Sequence, residues 1–230
     1  ERSREPDPDL RDIPRALVRP PVFRRRDPLI LAGTLVPSRA EAGRSLAGLF
    51  YLILKRPEGL RLIDASPDGF WRSFGVFAWA WPVQCFLWSG MWRALPDTRP
   101  ETAGEIFRFF FVSTSFDVAA WVAPAALLFA VSQVFGLSGK FSQLVVVTNW
   151  FGLMSAYVGF FPAALRYLTP LPESASAFIS LFVYLVVIWL YYRVIRTCLG
   201  GDLMISIFIT AMMVMTGLIV SELAFDALSR

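Results

Sequence analysis

A chain of 230 residues that is 56% hydrophobic and 15% aromatic, with 17% charged residues and a mean hydropathy of +0.54, is too apolar for a soluble domain. Histidine is absent, which excludes His-ligated haem, His-based zinc or di-iron sites, and Ser/His or Cys/His catalysis. The net charge of +4 does not point to nucleic acid: 14 of the 22 basic residues precede Phe74 against ten acidic ones, so the excess is local and sits where Arg and Lys mark a cytoplasmic membrane face.

Residues 1–37 are rich in Pro and charge and lack periodicity, so they read as an extended cytoplasmic arm. Within it, Val22, Phe23, Leu29 and Ile30 offer apolar anchors around the cluster Arg24, Arg25 and Arg26, which also permits a partner-docking reading. Residues 38–72 follow as an interfacial region. Ser38 and Glu41 have capping-box spacing and open a helix whose apolar density rises toward Leu46–Leu54. "KRP" at Lys55–Pro57 ends it, so it is too short to span and is expected to lie in the interface. Asp64, Ser66 and Pro67 then supply turn chemistry, and Phe70, Trp71 and Arg72 an interfacial anchor.

The rest, 73–230, reads as an all-α membrane bundle of about five spans: 73–92, 107–135, 142–165, 176–197 and 203–224. Each approaches or exceeds the roughly 20 residues needed to cross about 30 Å of hydrocarbon. Lys140, Arg193 and Arg196 fall in loops on the side of the N-terminus, whereas Arg93, Arg99, Arg108 and Arg166 fall on the other side among acidic residues. The positive-inside rule then places the N-terminus in the cytoplasm and the C-terminus in the periplasm, with Arg193 and Arg196 as further interfacial anchors. Arg greatly outnumbers Lys, of which only Lys55 and Lys140 occur, and Ala is plentiful; this bias of GC-rich genomes points to a bacterial inner membrane. No internal repeat is present, and five spans do not divide into two halves.

Polar groups inside the spans are few. Asp117 is the acidic residue nearest the centre of any span, and intramembrane carboxylates cost about 3 kcal/mol on insertion scales. Gln84 falls about 15 Å from the inner face and Asp117 about 18 Å, counted at 1.5 Å per residue. With Ser113, Thr114 and Asn149 these residues form a candidate polar cluster, either a clamp between helices or a relay for protons or ions. Pro82, Pro124 and Pro162 lie inside spans and free backbone carbonyls there. "LGGD" (Leu199–Asp202) reads as a turn followed by a helix N-cap. Glu222 and Asp226 lie at the outer end of the last span as solvated residues, and Cys85 and Cys198 as isolated packing residues. No nucleotide-binding loop, hydrolase elbow or zincin helix occurs, so neither catalysis, metal nor cofactor is expected.

A cytosolic segment, a short interfacial region containing "PEGL" and "GFWRSF", and five closely spaced spans resemble the Yip family of small polytopic membrane proteins in its bacterial branch, over about residues 45–225. The resemblance implies a five-span fold. Eukaryotic members act in membrane trafficking through small GTPases and lipid-modified partners, bacterial members mostly lack an assigned activity, and no catalytic residues carry over. From the residues themselves, the first expectation is a non-catalytic accessory, assembly or scaffold subunit that contacts lipid and other membrane subunits, since eight Trp and 21 Phe supply abundant aromatic surface. Two alternatives stand beside it: a small-solute or ion permease with Asp117 in the pathway, and a lipid- or quinone-binding protein with a groove near Trp79, Trp81 and Trp88.

Overall fold

The computed structural model describes residues 35–94, 102–169 and 171–229. The arm residues Val22, Phe23, Arg24, Arg25, Arg26, Leu29 and Ile30 lie outside the described residues. Seven α-helices follow in order: α1 (Arg39–Ile53), α2 (Pro67–Phe74), α3 (Phe77–Ala94), α4 (Ala103–Val134), α5 (Phe141–Leu168), α6 (Glu173–Cys198) and α7 (Leu203–Ser229), with 3₁₀ turns at Pro57–Leu62 and Ser138–Lys140. No strand occurs among the described residues.

Four helices, α4 to α7, are long and apolar enough to cross a membrane. The fifth span expected at 73–92 is not one helix. Ser73 and Phe74 close α2, and α3 begins at Phe77. At the junction a Cβ on Gly75 would stand 1.8 Å from the Leu35 carbonyl oxygen, so the chain passes too close for any side chain. α3 has 18 residues, about 27 Å at 1.5 Å per residue. Its Trp, Gln84 and Pro82 lower its hydropathy below that of the other four. The remaining spans match their expected positions within five residues at either end.

α5 is the hub. Leu144, Val145, Val146 and Val147 are fully buried, as is nearly all of Trp150, and α1, α2, α3, α4 and α6 all pack on this helix. α7 lies against α4 and α6. Between apolar helices in lipid the gain is close van der Waals packing, because lipid tails are as apolar as the side chains they would replace. Running from the end that carries α1, helices α3, α5 and α7 lead away and α4 and α6 return. Lys140 Nζ donates to the Leu199 carbonyl at 3.1 Å, tying the α4–α5 turn to the α6–α7 turn at that same end.

α1 is held by the bundle more firmly than an interfacial helix lying on lipid. Leu49 and Leu52 are fully buried against α5 and α6, and Thr197 Oγ1 donates to the Leu52 carbonyl at 3.1 Å. Gly48 of α1 meets Gly59 of "PEGL" backbone to backbone, a Cβ on Gly59 coming within 2.3 Å of the Gly48 carbonyl oxygen. Ser38 accepts from the Glu41 N–H at 3.2 Å as its spacing requires, but the Glu41 carboxylate turns to Arg72 at 3.1 Å instead of completing a capping box. The Arg72 guanidinium is available to Glu41 and outcompetes the Ser38 backbone amide N–H. A full capping box forms at Thr102 and Glu105, opening α4.

The last residues of the expected arm are tied down as well. Leu35 lies on Gly75, and Trp79 Nε1 donates to the Pro37 carbonyl at 3.2 Å. "LGGD" behaves as its sequence requires. Gly200, at φ 79°, and Gly201 close α6 by donating to the carbonyls of Thr197 and Arg196, and Asp202 Oδ1 caps α7 through the Ile205 N–H at 2.9 Å.

Candidate functional site

Two polar constellations form where the sequence placed one. In the first, Gln84 Nε2 of α3 donates to Asp117 Oδ2 of α4 at 2.9 Å. Thr114, one turn before Asp117, donates to its own Phe110 carbonyl and accepts from Trp81 Nε1 at 3.4 Å. Ser113 is buried on α4, and its hydroxyl has no hydrogen-bond partner among the described residues.

Asn149 belongs to a second constellation at the α1 end. Its Nδ2 donates to Ser73 Oγ of α2 at 2.8 Å, both side chains being buried, and Ser73 Oγ in turn donates to the Phe70 carbonyl at 2.7 Å. Next to it, Arg72 holds Glu41 at 3.1 Å and Asp64 at 2.7 Å, joining α1, α2 and the turn between them. Burial works to raise the Asp64 pKa, but hydrogen bonds from the Ser66 side chain and backbone, with the Arg72 guanidinium, outweigh it and hold the carboxyl below its ordinary value. Trp71, beside Arg72 and expected as an interfacial anchor, is 64% exposed. The "GFWRSF" stretch thus supplies the contacts that fasten α1 and α2 to α5.

Sequence reading did not foresee a half-open cleft of about 870 Å³ lined by residues of α3, α4, α5, α6 and α7. Gln84 lines it, so the cleft reaches the Asp117 pair through one residue. α5 contributes Gly152, Ala156, Gly159, Ala163 and Arg166, spaced by three and four and therefore on one face. Such a small-residue stripe was legible in the sequence, but it ordinarily lets helices close on each other. Here it leaves space: a Cβ added at Gly159 would meet nothing within 4 Å. Ser155, Ser180 and Ser221 add hydroxyls, Arg166 stands at the end remote from α1, and Trp121, whose indole N–H has no partner among the described residues, forms part of the wall. Arg166 makes no ion pair among the described residues. The volume of the cleft falls within the roughly 300–1,000 Å³ that ligand pockets span.

Arg193 and Arg196, expected as interfacial anchors, lie at the α1 end of α6. Arg193 stacks over Trp189 at 4.8 Å, and Arg196 donates to the Tyr192 hydroxyl at 3.0 Å. Among the described residues, no three of Cys, Asp and Glu converge as a metal site. Comparison with known proteins finds no matching family model, no matching characterised protein and no matching solved structure. The Yip resemblance therefore rests on the layout and the two quoted stretches.

Proposed function

We propose that this chain is a non-catalytic, multi-pass protein of a bacterial inner membrane that binds a lipid-like amphiphile in the cleft between α3, α4, α5, α6 and α7. The observation that carries this reading is the cleft itself: about 870 Å³ of open space where a glycine- and alanine-rich face would otherwise let helices close together. Its walls accept an apolar chain, while Gln84, the serine hydroxyls and Arg166 offer hydrogen bonds and one positive charge to a polar end. Lys140, Arg193 and Arg196 all lie at the α1 end, which supports that end as cytoplasmic.

Gly159→Leu tests the proposal, since a Cβ at this position meets nothing within 4 Å and the longer side chain takes up space in the cleft that Gly159 lines. Native mass spectrometry of the gently extracted full chain should detect a bound amphiphile, and the substituted protein should lose it while keeping its elution volume. An empty wild-type protein, or equal occupancy in the variant, would overturn the reading.

A permease reading is favoured by one observation, that Gln84 both lines the cleft and holds Asp117. It predicts transport in proteoliposomes that Asp117→Asn abolishes. Partner docking through the arm rests on the apolar anchors among its Arg residues, from Val22 to Ile30.

A further inference from the structure

A second pocket, of about 520 Å³, opens at the α1 end and is lined by Lys55, Arg193, Arg196, Trp189, Tyr192 and the Gly200–Gly201 turn. We infer that it is a binding site for a phosphate-bearing anion, presented as the headgroup of an anionic lipid. Three cations converge and no acidic residue lines the pocket. None of the three makes an ion pair among the described residues, and Arg193 Nε is buried there without a hydrogen-bond partner. Gathering like charges without a counter-charge is unfavourable, and a bound anion removes that cost. Lys55 also holds φ at 63°, a conformation that residues with a Cβ seldom adopt and that a glycine would serve better as a helix-ending residue.

The surroundings select a lipid. On α6 the residues Phe178, Phe182, Leu185 and Trp189 recur at spacings of four and three, and all are more than half exposed. That apolar stripe leads directly into Tyr192, Arg193 and Arg196, the order in which a chain passes from hydrocarbon through the aromatic belt to the headgroups. An acyl chain along the stripe brings its phosphate into the pocket. The site lies at the α1 end, apart from the cleft, and does not depend on what the cleft holds.

The test is native mass spectrometry of the full chain with phosphatidylglycerol and phosphatidylcholine of identical acyl chains. Wild type should retain phosphatidylglycerol preferentially. Arg193→Gln with Arg196→Gln should weaken that retention about thirtyfold, from roughly a fivefold loss per headgroup cation, and leave phosphatidylcholine unchanged. Lys55→Gln, an exposed position, should weaken it about fivefold and decides the matter if the double variant does not fold. A parallel arm measures the Tm in phosphatidylcholine nanodiscs with inorganic phosphate against chloride at matched ionic strength. A phosphate-specific rise without lipid preference identifies a soluble phosphate as the source, and lipid preference without that rise identifies the headgroup. Equal retention of both lipids with no phosphate effect overturns the inference, as does a preference that the substitutions leave intact.

Discussion

Gln84 of α3 and Asp117 of α4 are joined by a 2.9 Å hydrogen bond from one helix to the other. The short α3 is thereby pinned to the longest helix. The bond needs only an acceptor at position 117.

Asp117→Asn keeps an acceptor for Gln84 and should leave stability within a few tenths of a kcal/mol, on the scale measured for inter-helix bonds in membranes. Asp117→Leu strands the Gln84 amide and should cost about 1–2 kcal/mol. Thermal unfolding in detergent, followed by tryptophan emission, separates the two. Equal stability of the Leu variant and wild type would remove the clamp role.

The Asn149–Ser73 pair tests the asymmetry of buried polar groups. Ser73→Ala leaves a buried amide without its acceptor and should cost about 1–3 kcal/mol, whereas Ser73→Ala with Asn149→Val removes both partners and should recover most of the loss. A double-mutant cycle by denaturant unfolding reads the coupling directly. Additive losses would show that the bond carries no weight.

Asp64 sets a pH window. Its folded pKa is lowered, so its contribution is fully present above the unfolded value of about 3.9 and is lost as pH falls through the folded one. Backbone hydrogen exchange across residues 62–72 should therefore accelerate only below about pH 4. Asp64→Asn should exchange at one faster, nearly pH-independent level relative to wild type once intrinsic exchange is corrected. An onset near neutrality would contradict the assignment.

Two glycines in the same region should respond with opposite signs. Gly59→Ala drives a Cβ to 2.3 Å from the Gly48 carbonyl oxygen and should destabilise by about 1–3 kcal/mol, with α1 lifting first under limited proteolysis. Gly43→Ala meets nothing within 4 Å on the exposed side of α1 and should stabilise by about 0.5–1 kcal/mol. Matching signs would show that the Gly48–Gly59 contact does not hold α1 down.

Helix identities and the "LGGD" turn were legible because hydrophobic run length and glycine followed by Asp act locally. The Asp117–Gln84 pair was legible because few polar side chains occur inside the apolar runs, so those present have few partners to choose from. Asn149 was grouped with them wrongly in space, since depth says nothing of azimuth, and the helix facing it proved to be α2. The break at Gly75 depends on Leu35, 40 residues earlier, and the role of Glu41 on Arg72, 31 residues later. The cleft was hidden for a related reason. A stripe of small residues describes one wall, and only the positions of four other helices decide whether that wall is covered.

α3 and α4 lie side by side with 18 and 32 residues, about 27 and 48 Å of helix at 1.5 Å per residue. Of the two, only α4 is long and apolar enough to cross a membrane, so the shorter and more polar α3 flanks it without matching its length. The Gln84–Asp117 bond therefore fastens a segment that hydropathy alone would leave outside the bundle to one that it would keep in.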